Sequence, residues 1–314
     1  MDGVIKHPLP STHEEWLEDR KNGIGGSDVG AVLGLNKYKS PYTLWAEKSG
    51  LLHTEDADNE SMRIGRDLED YVARRFVEAT GHEVVTSDYS FQSKSHPFML
   101  ANVDRLLTDE PCGLECKTAS ALAKYDFESG DIPPSYYCQC MHYMAVTGLR
   151  KWYIAILVMG KGFYWFEINR DEEEIKALIE AEEDFWNKVE TGEAPPIDGT
   201  SSTATTLEAV FNYSKDDKEC ILGHETETAL NMIYNINEKI KELKEQKTLY
   251  ENIVKHEMRS AEKAETEDLI VTWKRKPTRR FSQSDLKKNE PLVYKKYMKE
   301  TISERFVVKK KNNH

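Results

Sequence analysis

Apolar positions recur at helical spacing over Thr12–Lys21, Ser27–Leu33, Pro41–Glu47 and Glu60–Thr80, and Gly81 supplies a stop to the last of these. Three short strand-like runs follow, Val84–Phe91, Phe98–Leu107 and Gly113–Thr118. The spacing then predicts a helix over Ser135–Val146, closed by Gly148. Two runs rich in β-branched and aromatic residues come next, Trp152–Val158 and Phe163–Ile168, joined by the turn-forming Gly160-Lys161-Gly162. A charged amphipathic helix over Asp171–Glu190 completes the series. Helix, three strands, helix, two strands, helix is the order of an α/β fold, a mixed sheet flanked by helices.

Gly192–Thr206 is rich in Pro, Ser, Thr and Gly and marks a boundary. Beyond it a long helix is expected over Glu225–Met258. Its apolar residues Ile233, Ile236, Ile240 and Leu243, then Lys247, Tyr250 and Val254, keep heptad spacing. That pattern suits a helical hairpin or coiled-coil contact, or packing against its own domain. The last segment holds a strand-like LIVTW, a basic KRKPTRR and aromatics interleaved with lysines, and reads as a small α/β appendage. The expected organisation is a core over residues 1–195, a linker over 196–223, the long helix over 224–263 and a basic module over 264–314.

Charge refines this picture. The chain carries a formal net charge of −12, yet Val271–His314 holds 14 Lys/Arg against 4 Asp/Glu, a local +10 that leaves −22 for the remainder. Such asymmetry suits either a solvated basic tail or contact with a polyanion. No apolar run has the ~18 residues needed to span a membrane, and no signal-peptide core begins the chain, so a cytoplasmic protein without membrane contact is expected. The five cysteines, Cys112, Cys116, Cys138, Cys140 and Cys220, are odd in number and lack a C-x-x-C pair. Reduced, mostly buried thiols are expected rather than disulfides or a zinc module.

The candidate chemistry lies in Asp104 and Glu115-Cys116-Lys117. FMLANVD ends an apolar run, RLLTDEP can turn, and GLECK returns as the next strand. Glu115 and Lys117 are two apart and share one face of that strand, and hairpin pairing brings Asp104 beside them. Two carboxylates on adjacent strands, with the Cys116 carbonyl, can share a hard divalent cation, and a nearby lysine can steady an activated water or phosphate charge. Glu69 adjoins the apolar stripe of Leu68, Val72 and Phe76 and can point inward. Gln139 and Tyr143 are i and i+4 on one helical face. Each of these groups taken singly is more often structural.

A second motif is RKNGIGGSDVGAVLGLNKY, residues 20–38, with five glycines. Gly25-Gly26-Ser27 reads as a helix start with Ser27 as N-cap, and such a start also favours an anion. No G-x(4)-GK-[ST] is present, and the glycines follow no predicted strand, which counts against a nucleotide loop.

Taken together, the helix glutamate, D-x(10)-ExK and QxxxY resemble the metal-dependent PD-(D/E)XK nucleases of the phage lambda exonuclease type, and among them the YqaJ-like viral recombinase group. Trp16, Arg20, Gly23 and Ser27 match the W-x(3)-R-x(2)-G-x(3)-S start of that family, and YMAVTG over Tyr143–Gly148 is similar to it as well. The resemblance covers about residues 13–190, more weakly the C-terminal region. Val103 departs from the proline of the family name.

The resemblance implies a restriction-endonuclease-like core and Mg²⁺ or Mn²⁺, one or two ions, bound by Asp104, Glu115 and the Cys116 carbonyl. By the same resemblance Glu69 completes the site, Lys117 positions the water, Gln139 and Tyr143 assist, and Arg20 and Ser27 contact a terminal 5′-phosphate. It further implies a 5′→3′ exonuclease on double-stranded DNA ends that leaves 3′ single-stranded tails for recombination. A ring-like homo-oligomer, a trimer by resemblance, and a single-strand annealing partner are implied too. A structure- or site-specific endonuclease on the same fold is the alternative within enzymes. A non-catalytic DNA- or partner-binding module is the alternative outside them, and the intact acidic–lysine set counts against it.

Overall fold

The structure, a computed structural model, describes residues 3–52, 59–122, 124–211, 219–299 and 305–310. Its contacts divide the chain into two units, Met1–Lys215 and Asp216–His314. The first unit begins with β1 (Val4–Pro8), α1 (His13–Lys21), β2 (Ile24–Gly25), α2 (Gly26–Val32), α3 (Pro41–Lys48) and α4 (Glu60–Thr80). Then come β3 (Val84–Val85), β4 (Tyr89–Ser93), β5 (Met99–Ala101), β6 (Arg105–Leu107) and β7 (Gly113–Ala119). It ends with α5 (Pro134–Thr147), β8 (Lys151–Val158), β9 (Gly162–Asn169), α6 (Glu172–Thr191) and α7 (Ser201–Val210). This is the expected mixed α/β design. Gly81 and Gly148 close α4 and α5 in the left-handed conformation, where a missing Cβ removes the steric penalty.

A five-stranded sheet runs β3-β6-β7-β8-β9, antiparallel except for the β7–β8 pair, which is parallel in the register Glu115↔Ile154. Parallel neighbours need a crossover, and α5 provides it. Alternation along β8 explains the layers. Ile154 and Ile156 point into a core shared with α5, through Cys140 and Met144. Tyr153 and Ala155 point into a second core with Val72 and Phe76 of α4. A four-stranded sheet, β1-β4-β5-β2, packs through β4 and β5 on the same helix α5 that β8 contacts.

Several local expectations change. Phe98–Leu107 is not one strand, because β5 belongs to the four-stranded sheet and β6 to the five-stranded one, with Asp104 at the crossing. Strand β1, pairing with β4, had no clear apolar alternation to announce it. Part of the expected linker is helix α7, held to α3 by hydroxyl contacts: Thr43 Oγ1 lies 2.8 Å from Thr206 Oγ1, and Thr203 donates to Ser40 at 2.7 Å. Residues 212–218 of that linker lie outside the described residues.

The second unit holds α8 (His224–Met258), the hairpin β10 (Lys263–Glu265) and β11 (Ile270–Thr272), and helices α9 (Gln283–Asn289) and α10 (Pro291–Tyr297). The heptad residues Ile236, Ile240, Leu243, Tyr250 and Val254 of α8 are exposed rather than packed into a core. Residues 300–304 and 311–314 of the expected basic module lie outside the described residues. Among the described residues no helix is long and apolar enough to cross a membrane.

One buried ion pair ties the layers of the first unit. His142 of α5 and Glu182 of α6 are both fully buried, with Nδ1 2.8 Å from Glu182 Oε1 and Nε2 2.9 Å from the Leu100 carbonyl oxygen. Both partners accept, so both ring nitrogens must carry hydrogen, which only the imidazolium does beside a carboxylate. Burial works against that charge, but Glu182 and the Leu100 carbonyl outweigh it and raise the His142 pKa above its ordinary ~6.5. The pair's stabilisation is therefore complete below about pH 6.5 and is lost as pH rises through the higher folded value. We expect His142→Leu alone to cost ~3–5 kcal/mol, because it strands the buried glutamate. Relative to the double variant His142→Leu/Glu182→Leu, the wild type should lose up to ~1.4 kcal/mol per pH unit above about pH 6.5 in urea unfolding. Parallel stability curves for the two proteins would refute the charged pair.

Candidate functional site

The site is built on β7. Leu114 turns into the α4 core, so period two sends Glu115 and Lys117 to the opposite, α5-facing side. Lys117 Nζ lies 2.6 Å from Glu115 Oε1. The β6–β7 ladder pairs Arg105 with Leu114, and just beyond it the Cys116 amide is left for a side chain. Asp104 takes it, its Oδ2 accepting from Cys116 N at 2.8 Å. The sequence-predicted trio of Asp104, Glu115 and Lys117 is thus brought together.

Helix α5 supplies the other wall. Gln139 Nε2 donates to Glu115 Oε1 at 2.6 Å and to the Tyr143 hydroxyl at 2.8 Å, so both QxxxY residues join the cluster. Tyr143 in turn lies against Gly26 of α2: a Cβ at Gly26 would stand 2.4 Å from Tyr143 Cε1. Only glycine permits that approach. The contact runs in a continuous chain from α2 through Tyr143 and Gln139 to Glu115.

Electrostatics mark the pair as acidic and short of cation. Glu115 is 2 % exposed, its Oε1 serves both Lys117 and Gln139, and its Oε2 is buried without a hydrogen-bond partner. Burial and the neighbouring Glu115 charge raise the Asp104 pKa well above the ordinary carboxylate range, against the pull of Lys117. Lys117 is held protonated: burial disfavours its charge, but Glu115 and Asp104 outweigh that. The Cys116 thiol is pushed up, by burial first and then by Asp104 and Glu115, so its sulfur stays neutral.

Glu69, which the resemblance places in this set, is paired with an arginine in the structure. Helix α4 covers the Leu114 side of the sheet, opposite Glu115, and there the buried Arg105 engages Glu69 Oε1 at 2.6 Å and Asp70 Oδ1 at 2.5 Å. Glu69 still lies near enough for its charge to raise Asp104. Among the described residues no three His, Cys, Asp or Glu side chains form a metal-holding group. Arg105 went unnoticed in the sequence, although a charged residue opening a three-residue buried strand pattern is the signal that reveals it. The cysteines are free thiols, but they are less buried than expected: Cys112 and Cys140 are buried, Cys116 and Cys138 half-buried and Cys220 exposed.

Ser27 is not an N-cap. Helix α2 begins one residue earlier, at Gly26, and Asp28 Oδ2 accepts from the Gly25 amide at 3.2 Å. Ser27 Oγ instead accepts from Arg20 Nη2 at 3.0 Å, so the structure does bring Arg20 and Ser27 together. Beside them lie two ionic groups that pattern reading passed over, Asp28 and Lys48. Their signal was positional, since Lys48 follows Leu44 by one turn on the buried side of α3.

Residues 15–150 match the family model described as a YqaJ-like viral recombinase domain. Protein YqaJ of Bacillus subtilis (strain 168), described as uncharacterized, is 38% identical over 309 residues, spanning 98% of this chain and 97% of that protein. An alkaline exonuclease from Laribacter hongkongensis superposes with a TM-score of 0.46 at 22% identity, over 57% of this chain and 93% of that one. A phage-related exonuclease from Haemophilus somnus 129PT gives 0.43 at 12% identity, over 55% and 96%. With identity at this level from end to end and the family's own domain matched across the residues that build the site, the chain belongs to the YqaJ family of viral-recombinase-like proteins.

Proposed function

We propose that the first unit is a metal-dependent deoxyribonuclease that enters linear duplex DNA at an end and degrades one strand 5′→3′. The 3′ single-stranded tails it leaves would feed recombination by strand annealing. The observation that carries this reading is the paired carboxylates of buried Glu115 and half-buried Asp104, the first with an unpartnered oxygen and the second with a raised pKa, beside a protonated lysine. Asp104, Glu115 and the Cys116 carbonyl would hold Mg²⁺ or Mn²⁺; Glu69 remains with Arg105. A bound divalent ion would lower the pKa of its water and offset charge on the scissile phosphate.

The protein's own groups do the rest. Lys117 sits on the carboxylate face as a fixed positive charge, placed to hold the attacking water and to meet charge building on phosphate oxygen. Gln139 restrains Glu115 through Oε1, while Oε2 keeps no hydrogen-bond partner and would be available to a cation. Arg20 and Ser27 are the groups suited to a terminal 5′-phosphate, because a guanidinium and a hydroxyl already in contact offer a phosphate donors in fixed geometry. This end-directed pair supports exonuclease over endonuclease action. The exposed heptad face of α8 suits either self-association into a ring or an annealing partner.

Three measurements test the proposal. With Mg²⁺, 5′-phosphorylated linear duplex should be degraded, closed circular duplex should not, and EDTA should stop all cleavage. Cutting of closed circles would favour an endonuclease, and no cutting of any substrate a binding module. Lys117→Ala should lower the cleavage rate by ~10²–10³-fold with duplex binding retained, and full residual activity would overturn the site. Gly26→Ala should displace Tyr143 and slow cleavage about tenfold or more by releasing Gln139 from Glu115, and an unchanged rate would show that this chain of contacts is not needed.

A further inference from the structure

Arg20 is held more elaborately than a surface arginine requires. Its guanidinium lies 4.8 Å from the Trp16 ring centroid, and its Nη2 donates to Asp28 Oδ1 at 2.9 Å as well as to Ser27. Its Nε and Nη1 make no hydrogen bond among the described residues, and the side chain remains 29% exposed, so donors are left over for a ligand. Asp28 is buried, and its other oxygen accepts from Lys48 Nζ at 2.8 Å. Lys48 is itself only 6% exposed and also donates to the Arg20 carbonyl, at 2.5 Å.

The charge arrangement is informative. An aspartate alone beside Arg20 would cancel the positive charge that an anion needs. The second, buried cation restores it, so Arg20, Asp28 and Lys48 together carry one net positive charge. Burial of Asp28 by itself would raise its pKa, but the charges of Lys48 and Arg20 outweigh this and keep it ionised, below the ordinary carboxylate range. The aspartate can therefore act as a fixed hinge pin for the guanidinium. Two bonds from one nitrogen, and a ring against its face, fix the plane of Arg20 before any ligand arrives, which lowers the ordering cost of binding.

We infer that Asp28, backed by Lys48, is a positioning residue that presents Arg20 to a terminal phosphate and sets a preference for 5′-phosphorylated over 5′-hydroxyl DNA ends. The inference rests on the end-directed nuclease reading above. Asp28 touches no substrate; it acts through Arg20.

The test is the ratio of kcat/KM for one linear duplex with 5′-phosphate or 5′-hydroxyl ends, measured with Mg²⁺ for the wild type, Asp28→Asn and Asp28→Asn/Lys48→Met. The double variant removes the cation that the single one would leave buried and unpaired. Affinity for the same two duplexes is measured in EDTA, where cleavage is not needed. In both variants the ratio should fall about tenfold or more towards unity, through KM for the phosphorylated end, and the affinity preference should fall with it. A merely structural role would lower both substrates alike, and the fraction of folded protein cancels in the ratio. A preference kept at wild-type level in both variants overturns the role of Asp28 while leaving the nuclease reading intact. A wild type that cleaves both ends equally overturns the end-directed reading, and this inference with it.

Discussion

Burying a carboxylate costs several kcal/mol unless cations and hydrogen-bond donors offset the loss of water, and the first unit is arranged around three such burials: Asp28, Glu115 and Glu182. Each is answered differently. Glu182 meets a single imidazolium, which in turn holds the Leu100 carbonyl, so the pair joins α5, α6 and β5. Asp28 meets two cations and a backbone amide, which fixes α1, α2 and α3 to one another. Glu115 meets Lys117 and Gln139 on one oxygen only. The first two have their charge met by cations of the protein's own, with no other carboxylate in the pair. Glu182 and Glu115 each keep one buried oxygen without a hydrogen-bond partner, but only Glu115 lies beside a second carboxylate, Asp104, whose pKa its charge raises.

The geometry follows from a strand with two cores. Because β7 lies between α4 and α5, its alternate residues answer to different helices. Leu114 anchors the strand on one side, and this anchoring is what holds Glu115 and Lys117 rigidly on the other. Helix α5 then couples two regions far apart in sequence. Gln139 reaches the carboxylate, and Tyr143 reaches Gly26, one residue from Ser27. The groups proposed for end recognition and for cleavage are thus tied by packing rather than by a flexible loop, which would suit a reaction that depends on placing one phosphate relative to another.

Much of this was legible in the order of residues. The main helices of the first unit and strands β7, β8 and β9 follow from periodicity, and α4 and α5 stop at the glycines that pattern reading selected. Asp104, Glu115 and Lys117 were recoverable because a two-residue spacing on a strand has a single geometric meaning, and Gln139 with Tyr143 because i and i+4 share a helical face. Helix α7 was hidden by its Ser and Thr content, which reads as linker until its hydroxyls find those of α3. Asp28, Lys48, Arg105 and Glu182 were hidden for a related reason. A charged residue looks solvated in sequence, and only its partner, 20 positions away for Lys48 and Asp28 and 40 for Glu182 and His142, shows otherwise.

By itself the sequence determined the α/β order, the strand that carries Glu115 and Lys117, and the set of residues that resembles one family. These depend on local periodicity and on residue chemistry, which need no knowledge of what lies opposite. Tertiary structure alone decided which charges meet. It turned Glu69 towards Arg105, because α4 packs on the Leu114 side of the sheet. It gave Ser27 to Arg20 rather than to a helix cap. It left one oxygen of Glu115 without a donor, because burial and pairing are properties of the packed chain and not of any segment within it.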